Sequence, residues 1–455
     1  MPTLATTTHA TRGTRTSRPR ATLSVTAAAT AVALMNYTAP MLTLPDMAAA
    51  FGTPASAQAW LLNGTPLGLA VLLLVAGSLA DAHGRRRIFL LGTLTLGLTT
   101  ALGTFAGSTL TFTAARIAQG AASAAVLAGS LGLLAHAYPA GRDRIRATGI
   151  WGASVSGGIA LGPLLAGALS LADWRLAYGT LGAAALAIAG AGARTLPKET
   201  KPSGAPRPDM TGALTLGLSL TALLTALTLG RDGWLRPQVG LLLLASAALT
   251  TLFVLVEHRS RTPMIDLTLL RRPAFLASTL GALFTGLAVI GLFSVVPALL
   301  QSGAGMSPLA SALLFLLWSG TAFVAALQAR RLAGRLSAAY QLTAGFALSA
   351  AGILALLGAL EGPWPRLLPG LLVAGAGSGL LNAALPRLAV DSVPPERAAM
   401  GSGANNTARY IGSSAGVALT LALVKTDPNT ALLVSAGLAA TGAALTLVLG
   451  RGSSR

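Results

Sequence analysis

Apolar stretches of spanning length recur along the chain, separated by short polar connections. Fourteen can be drawn, near 23–45, 58–80, 88–107, 111–138, 147–169, 176–195, 211–230, 238–256, 275–299, 308–329, 338–360, 366–388, 398–424 and 429–449. Each matches a hydrocarbon core about 30 Å thick crossed by a helix of about 20 residues. No lipid-facing backbone group can stay unpaired in a bilayer, so each stretch is expected to be helical. The pattern therefore predicts an all-α polytopic membrane protein with fourteen transmembrane helices. Many of the 53 glycines fall inside these stretches as small-xxx-small pairs, Gly158 and Gly162 among them. Small residues let helices pack closely where no hydrophobic drive operates between them.

Composition agrees with this reading. The chain is 53% hydrophobic and 10% charged, against about 25% charged in a soluble domain. So few charges could not solvate the surface of a soluble body with 455 residues.

The net charge of +19 changes the picture by its distribution. Basic residues come in small groups between apolar stretches, not on one domain or helix face, which excludes nucleic acid as a partner. With the N-terminus inside, the even-numbered connections and both tails hold 25 Lys or Arg and the other side holds five. That asymmetry predicts both termini in the cytoplasm and an even number of spans. Arg outnumbers Lys 29 to 3 amid abundant Ala and Gly, the bias of a GC-rich bacterium, so the expected location is a bacterial inner membrane. The two basic residues left outside the 25-to-five count, Arg116 and Arg409, fall within spans.

Residues 1–22 lack acids and are rich in Thr, Ser and Arg. They are read as a disordered cytoplasmic tail, although a mitochondrial transit peptide has the same composition. The connection 196–210 holds Pro197, Pro202, Pro206 and Pro208 and reads as a linker. No P-loop is present, which disfavours ATP-driven pumping. Cysteine is absent, and the four histidines lie in loops or near helix ends. Neither a cofactor nor a metal site is expected.

The chemistry-bearing motifs come next. After the second stretch the chain reads Gly77-Ser78-Leu79-Ala80-Asp81-Ala82-His83-Gly84-Arg85-Arg86-Arg87. The fourth contains Arg116-Ile117-Ala118-Gln119-Gly120, and the fifth runs from Gly158 through Gly162 and Pro163 to Gly167. These resemble, in order, the signature loop, the second motif and the antiporter-type fifth helix of the major facilitator superfamily. Ala166-Gly167 stands where that family prefers Gly-Gly. Trp174-Arg175, the linker Glu257, Pro263, Leu267 and Phe275, and the stretch from Asp391 to Leu419 extend the likeness over nearly the whole chain. The fourteen stretches make it similar to the drug:proton antiporter branch.

The resemblance implies a six-helix bundle over 23–195, a linker with two extra transmembrane helices over 196–274, and a second six-helix bundle over 275–449. A short cytoplasmic tail, 450–455, follows. It implies secondary active export of small amphiphilic drugs, antibiotics or metabolites by alternating access. Proton coupling and a functional monomer are part of the same implication. Gly77, Asp81, Gly84, Arg85 and Arg86 would form the gating motif. Asp81 would meet the start of the thirteenth helix, around Ala398 to Gly401, when the cytoplasmic side is closed. The polar candidates for the cavity and for coupling are Asn36, Tyr37, Asn63, Arg116, Gln119, Asn382, Asn405 and Arg409; about half are expected to face the cavity and the rest to serve helix packing.

Asn36 stands where many relatives have an aspartate, and all thirteen acids map to loops or helix ends. With two intramembrane arginines and no deep carboxylate, neutral or acidic substrates are expected over quaternary ammonium compounds. Three rival readings are an uptake permease of the same fold, a sensor that transports nothing, and a membrane enzyme. The last would need acids, histidines or metal ligands clustered within the spans.

Overall fold

The computed structural model describes residues 19–55, 57–138, 142–197, 210–230, 233, 235–260, 267–332, 336–394 and 398–452. Among them no strand occurs. The helices are α1 (Pro19–Thr38), α2 (Pro40–Ala50), α3 (Gln58–His83), α4 (Arg85–Gly103), α5 (Thr109–Ala137), α6 (Arg142–Leu169) and α7 (Arg175–Thr195). Next come α8 (Met210–Gly230), α9 (Pro237–Arg259) and α10 (Pro273–Phe284). A π-helical turn, Thr285–Ile290, leads into α11 (Gly291–Phe293) and α12 (Val296–Ser302). The rest are α13 (Pro308–Leu332), α14 (Ala338–Leu354), α15 (Leu367–Asp391), α16 (Ala398–Val424) and α17 (Pro428–Gly452).

Among the described residues ten helices are long and apolar enough to cross a membrane, or eleven if the bent pair α1–α2 counts as one span. The expected number of fourteen exceeds this for local reasons. Arg85, Arg86 and Arg87 occupy the first turn of α4. The eleventh stretch was expected to reach 360, but α14 is 17 residues long and stops at Leu354.

Two groups of helices follow from the packing. In the first, α3 and α4 pack on α5, α4 on α7, and α1 on α5, α6 and α7. In the second, α14 packs on α15 and α17, α13 on α15, and α10 on α16 and α17. The groups meet along two main helix pairs, α3 with α16 and α6 with α13, and α2 also touches α12 and α13. The hairpin α8–α9 lies beside the first of these pairs, with α8 touching both α3 and α16.

Glycine decides how closely these helices approach. A Cβ on Gly158 would lie 2.5 Å from the Ala31 carbonyl oxygen, and one on Gly162 would lie 2.6 Å from that of Met35. The Gly158–Gly162 pair thus seats α6 on α1. In the second group, a Cβ on Gly416 would lie 2.4 Å from the Leu287 carbonyl oxygen, so α16 seats on the π-turn in the same manner.

The first and ninth stretches, expected as single helices, are both broken. The α1–α2 pair bends by 47° at Thr38–Pro40. Pro40 has no N–H to donate to the Asn36 carbonyl, and its ring crowds the preceding turn. The ninth stretch is interrupted by the π-turn and again before Pro297.

At one end of the molecule, here the Trp174 end, Leu44, Met47, Phe112, Trp174 and Tyr178 form one apolar cluster with Val295, Ala298 and Val417 of the second group. Phe112, Trp174 and Tyr178 contact one another edge to face, at 5.2–6.0 Å between ring centroids, a favoured aromatic arrangement. At the opposite end, here the Gly84 end, Gly84 alone separates α3 from α4. Its φ of 97° is a conformation that side-chain-bearing residues rarely adopt.

Candidate functional site

The site lies where the two groups meet at mid-depth. Tyr37, at the end of α1, shares a hydrogen bond with Ser413 of α16 at 3.1 Å. Its ring meets Tyr410 edge to face, 5.8 Å between centroids. One helical position away, Asn63 of α3 donates from Nδ2 to the Ser414 carbonyl at 3.2 Å and to Thr228 of α8 at 3.3 Å. One amide thus joins the first group, the second group and the hairpin. Towards the Trp174 end, Gln301 of α12 donates to the Leu42 carbonyl at 3.0 Å. On the second seam a Cβ added to Gly167 of α6 would sit 2.8 Å from the Ala312 Cβ of α13.

These links between groups all lie from mid-depth towards the Trp174 end. At that level a cavity of about 10 Å³ is lined by Tyr37, Met41, Leu62, Pro66, Ser294 and Ser413, roughly the room for one water. Nearer the Gly84 end, a Cβ added to Gly77, Gly149, Gly152 or Gly157 on α3 and α6 would meet nothing within 4 Å.

Arg116 is fully buried. Its Nη1 donates to the Asn36 carbonyl at 2.8 Å, to Asn36 Oδ1 at 3.0 Å and to Gln119 Oε1 at 2.7 Å. Its Nη2 donates to the Tyr37 carbonyl at 3.3 Å. Gln119 is held in turn by Asn36 Nδ2 at 3.1 Å, and it donates to the Thr99 carbonyl at 3.1 Å. Three sequence candidates, Asn36, Arg116 and Gln119, are therefore one network inside the first group. It gathers at the kink, where proline leaves a carbonyl in need of a donor.

Arg409 sits differently. It is half-buried on α16 and donates from Nη2 to Asn382 Oδ1 of α15 at 2.7 Å. Asn405, one turn earlier, is buried and donates to Ser278 through its carbonyl at 2.9 Å and its hydroxyl at 2.8 Å. It therefore ties α16 to α10.

The signature-loop arginines serve the first group. Arg86 donates to the Ala193 carbonyl at 2.8 Å and the Leu196 carbonyl at 3.2 Å, and Arg85 donates to the Gly132 carbonyl at 3.3 Å. Arg86 acts at the C-terminus of α7, where unpaired carbonyls and the helix dipole favour a cation. The side chain of Asp81 lies outside the described residues, as does its expected meeting with Ala398. Sequence reasoning missed Tyr410, Ser413, Ser278 and Thr228. Ser413-Ser414 within an apolar stretch was the available signal; the others resemble ordinary packing residues.

The comparisons with known proteins agree with one another. The multidrug resistance protein Stp of Mycobacterium tuberculosis is 33% identical over 83% of this chain and 70% of its own. The puromycin resistance protein pur8 of Streptomyces alboniger is 32% identical over 91% and 83%. A probable actinorhodin transporter of Streptomyces coelicolor is 32% identical over 88% and 71%. Among solved structures, a bacterial homolog of the human lysosomal transporter Spinster, inward-facing and occupied, superposes with a TM-score of 0.68. It covers 96% of this chain and 98% of its own at 15% identity, a likeness of fold alone. With residues 26–417 matching the family as a whole, the chain belongs to the Major Facilitator Superfamily.

Proposed function

We propose that the chain is a secondary active exporter of small amphiphilic drugs, antibiotics or metabolites. It works by alternating access and draws on the proton-motive force. The observation that carries this reading is the seam: two helix groups joined at mid-depth by Tyr37 and Ser413, polar on both sides, with the α1–α2 break beside Tyr37. Transporters of alternating-access design bind substrate at such a midplane, between halves that rock as units. The resistance and efflux names of the relatives support the direction of transport, and the glycine-proline run of α6 supports exchange over uptake.

In this reading the fourteen stretches are fourteen spans, in two six-helix bundles (23–195 and 275–449) with two extra helices in the linker 196–274. The α4 helix is extended to spanning length by the arginines of its first turn. The Gly84 end faces the cytoplasm and the Trp174 end faces outward, on the 25-to-five charge asymmetry. The conformation is then closed outside, where the apolar cluster and the Gln301–Leu42 bond lie. Gly77, Asp81, Gly84, Arg85 and Arg86 form the hinge and gate of the cytoplasmic side. Protons are the exchanged ion that the family resemblance implies, and the functional unit is one chain.

The test is transport in everted membrane vesicles, where export reads as uptake. Energised vesicles carrying the protein should accumulate puromycin or a lipophilic dye and lose it on adding an uncoupler. Vesicles with folded protein that accumulate none of a drug panel would contradict export. Accumulation in right-side-out vesicles alone would make the protein an uptake permease.

A further inference from the structure

We propose that Arg409 and Asn382 form an anion subsite on the substrate path, which takes the carboxylate or ionised phenol of an amphiphilic substrate. The proposal rests on the export reading and deepens it to a substrate class.

Three observations carry it. The first is depth. Arg409 lies eleven residues into α16, so about 16 Å along its axis at about 1.5 Å per residue. That is mid-membrane, too deep for the side chain to reach water at either face with ease.

The second is partnership. The guanidinium carries five N–H donors, and its hydrogen bond among the described residues is the single one to Asn382 Oδ1. No carboxylate pairs with it there, since the ion pair described in the chain is Arg387 with Asp391. Arg116 makes the contrast. Its cation is enclosed, and four acceptor atoms of Asn36, Tyr37 and Gln119 take hydrogen bonds from Nη1 and Nη2, while Nε is buried without a partner. Arg116 is thus enclosed and held by four bonds, whereas Arg409 is half-buried and held by one.

The third is position. Arg409 is half-buried on the helix that faces the first group, one turn from Ser413 and its bond to Tyr37. Asn382 uses its oxygen to hold one arm of the guanidinium, which leaves its own NH₂ as a donor beside that arm. Arginine fork and amide together present converging donors, the geometry that suits a planar carboxylate. The Tyr37 and Ser413 hydroxyls lie on the side where the seam is closed. A bound anion would neutralise the site, whereas a lipophilic cation would meet a like charge in low dielectric.

The test uses two probes with the same ring and chain, 1-pyrenebutyrate and its carboxamide, which differ only in charge. Binding to the full chain is measured in zwitterionic-lipid nanodiscs and corrected with empty discs. The wild type should bind the anion at least about tenfold more tightly than the amide. Arg409→Gln should erase that preference while still binding the amide. Arg409→Lys keeps the charge but loses the fork, so it should keep only part of it. Asn382→Asp leaves the arginine in place but supplies a built-in carboxylate, so it too should erase the preference. It thereby decides the matter if Arg409→Gln fails to fold. Equal affinity of the wild type for both probes, no binding of the anion, or an anion preference that survives Asn382→Asp overturns the proposal. Failure of the export reading shows separately, as absent vesicle transport with the binding preference intact.

Discussion

Arg116 Nη1 lies 2.8 Å from the carbonyl oxygen of Asn36, the acceptor that Pro40 leaves without its helical donor. A proline four residues on cannot supply an N–H, and a buried carbonyl left alone is costly. The arginine repairs the kink from a neighbouring helix. Its place in the second motif then has a structural cause: it fixes the angle between α1 and α2, and through Tyr37 the edge of the seam.

Arg116→Gln should therefore lower stability by about 2–3 kcal/mol, because several buried acceptors lose a charged donor. Pro40→Ala returns an N–H to the chain and should recover part of that loss. A double-mutant cycle by thermal unfolding in detergent checks this. Strictly additive effects of the two substitutions would argue against the coupling.

Asn36→Asp would be expected, on sequence alone, to shift the substrate profile towards cations. The structure leads to a different outcome. Asn36 is fully buried, with Oδ1 3.0 Å from Arg116 and Nδ2 on Gln119. An aspartate there pairs with Arg116 and loses the bond to Gln119, so it presents no free charge to substrate. Resistance to a quaternary ammonium compound should stay within about twofold of wild type, a change of under about 0.5 kcal/mol. A rise of tenfold or more in that assay would place Asn36 on the substrate path.

The extra hairpin is tied to the seam through Asn63. Asn63→Leu removes the bonds to Thr228 and Ser414 together, whereas Thr228→Val removes only the first. Interhelical bonds of this kind contribute about 0.6–1.7 kcal/mol each. Asn63→Leu should weaken outward closure and raise thiol labelling of a cysteine placed at Ser413, while Thr228→Val should leave labelling near the parent level. Equal labelling in both variants would remove Asn63 as a link between the halves.

How much of this was legible in the sequence follows from what each feature depends on. The helix-forming stretches were legible because the bilayer demands long apolar runs, and the break near Pro40 was available in the proline itself. Asn36, Tyr37, Arg116 and Gln119 stood out as polar residues in apolar stretches. What they do was not legible, because a side chain's partner depends on the azimuth and contact of two helices distant in sequence. Arg116 and Arg409 look alike as letters; one is enclosed by α1 and the other stands at the seam. The interruption of the ninth stretch also escaped, since Gly286 and Gly291 meet α16 only in the folded protein.

The charge on Arg409 also predicts how export is powered. With an anion bound the site is neutral, and the carrier that returns with a proton keeps the positive charge of Arg409 as well. An inside-negative potential then favours that return to the inward-facing state and the net exit of negative charge. Each charge moved is worth about 2.3 kcal/mol per 100 mV. In everted vesicles, collapsing the potential with valinomycin and potassium should cut export of pyrenebutyrate more than collapsing the pH gradient with nigericin does. The opposite order of sensitivity would contradict this.

The central claim is that the two helix groups must part at the Trp174 end for substrate to leave. The chain has no cysteine, so an introduced pair reports without background. Gly167 and Ala312 face each other across α6 and α13, the Ala312 Cβ lying 2.8 Å from where a Gly167 Cβ would sit. A disulfide holds Cβ atoms about 3.5–4.5 Å apart, so the helices need separate by only about 1 Å to accept one. In the Gly167→Cys, Ala312→Cys double variant, complete oxidation should abolish export in vesicles. Reduction should restore it to the level of the single variants. Export that continues undiminished in the fully oxidised protein would contradict alternating access across this seam.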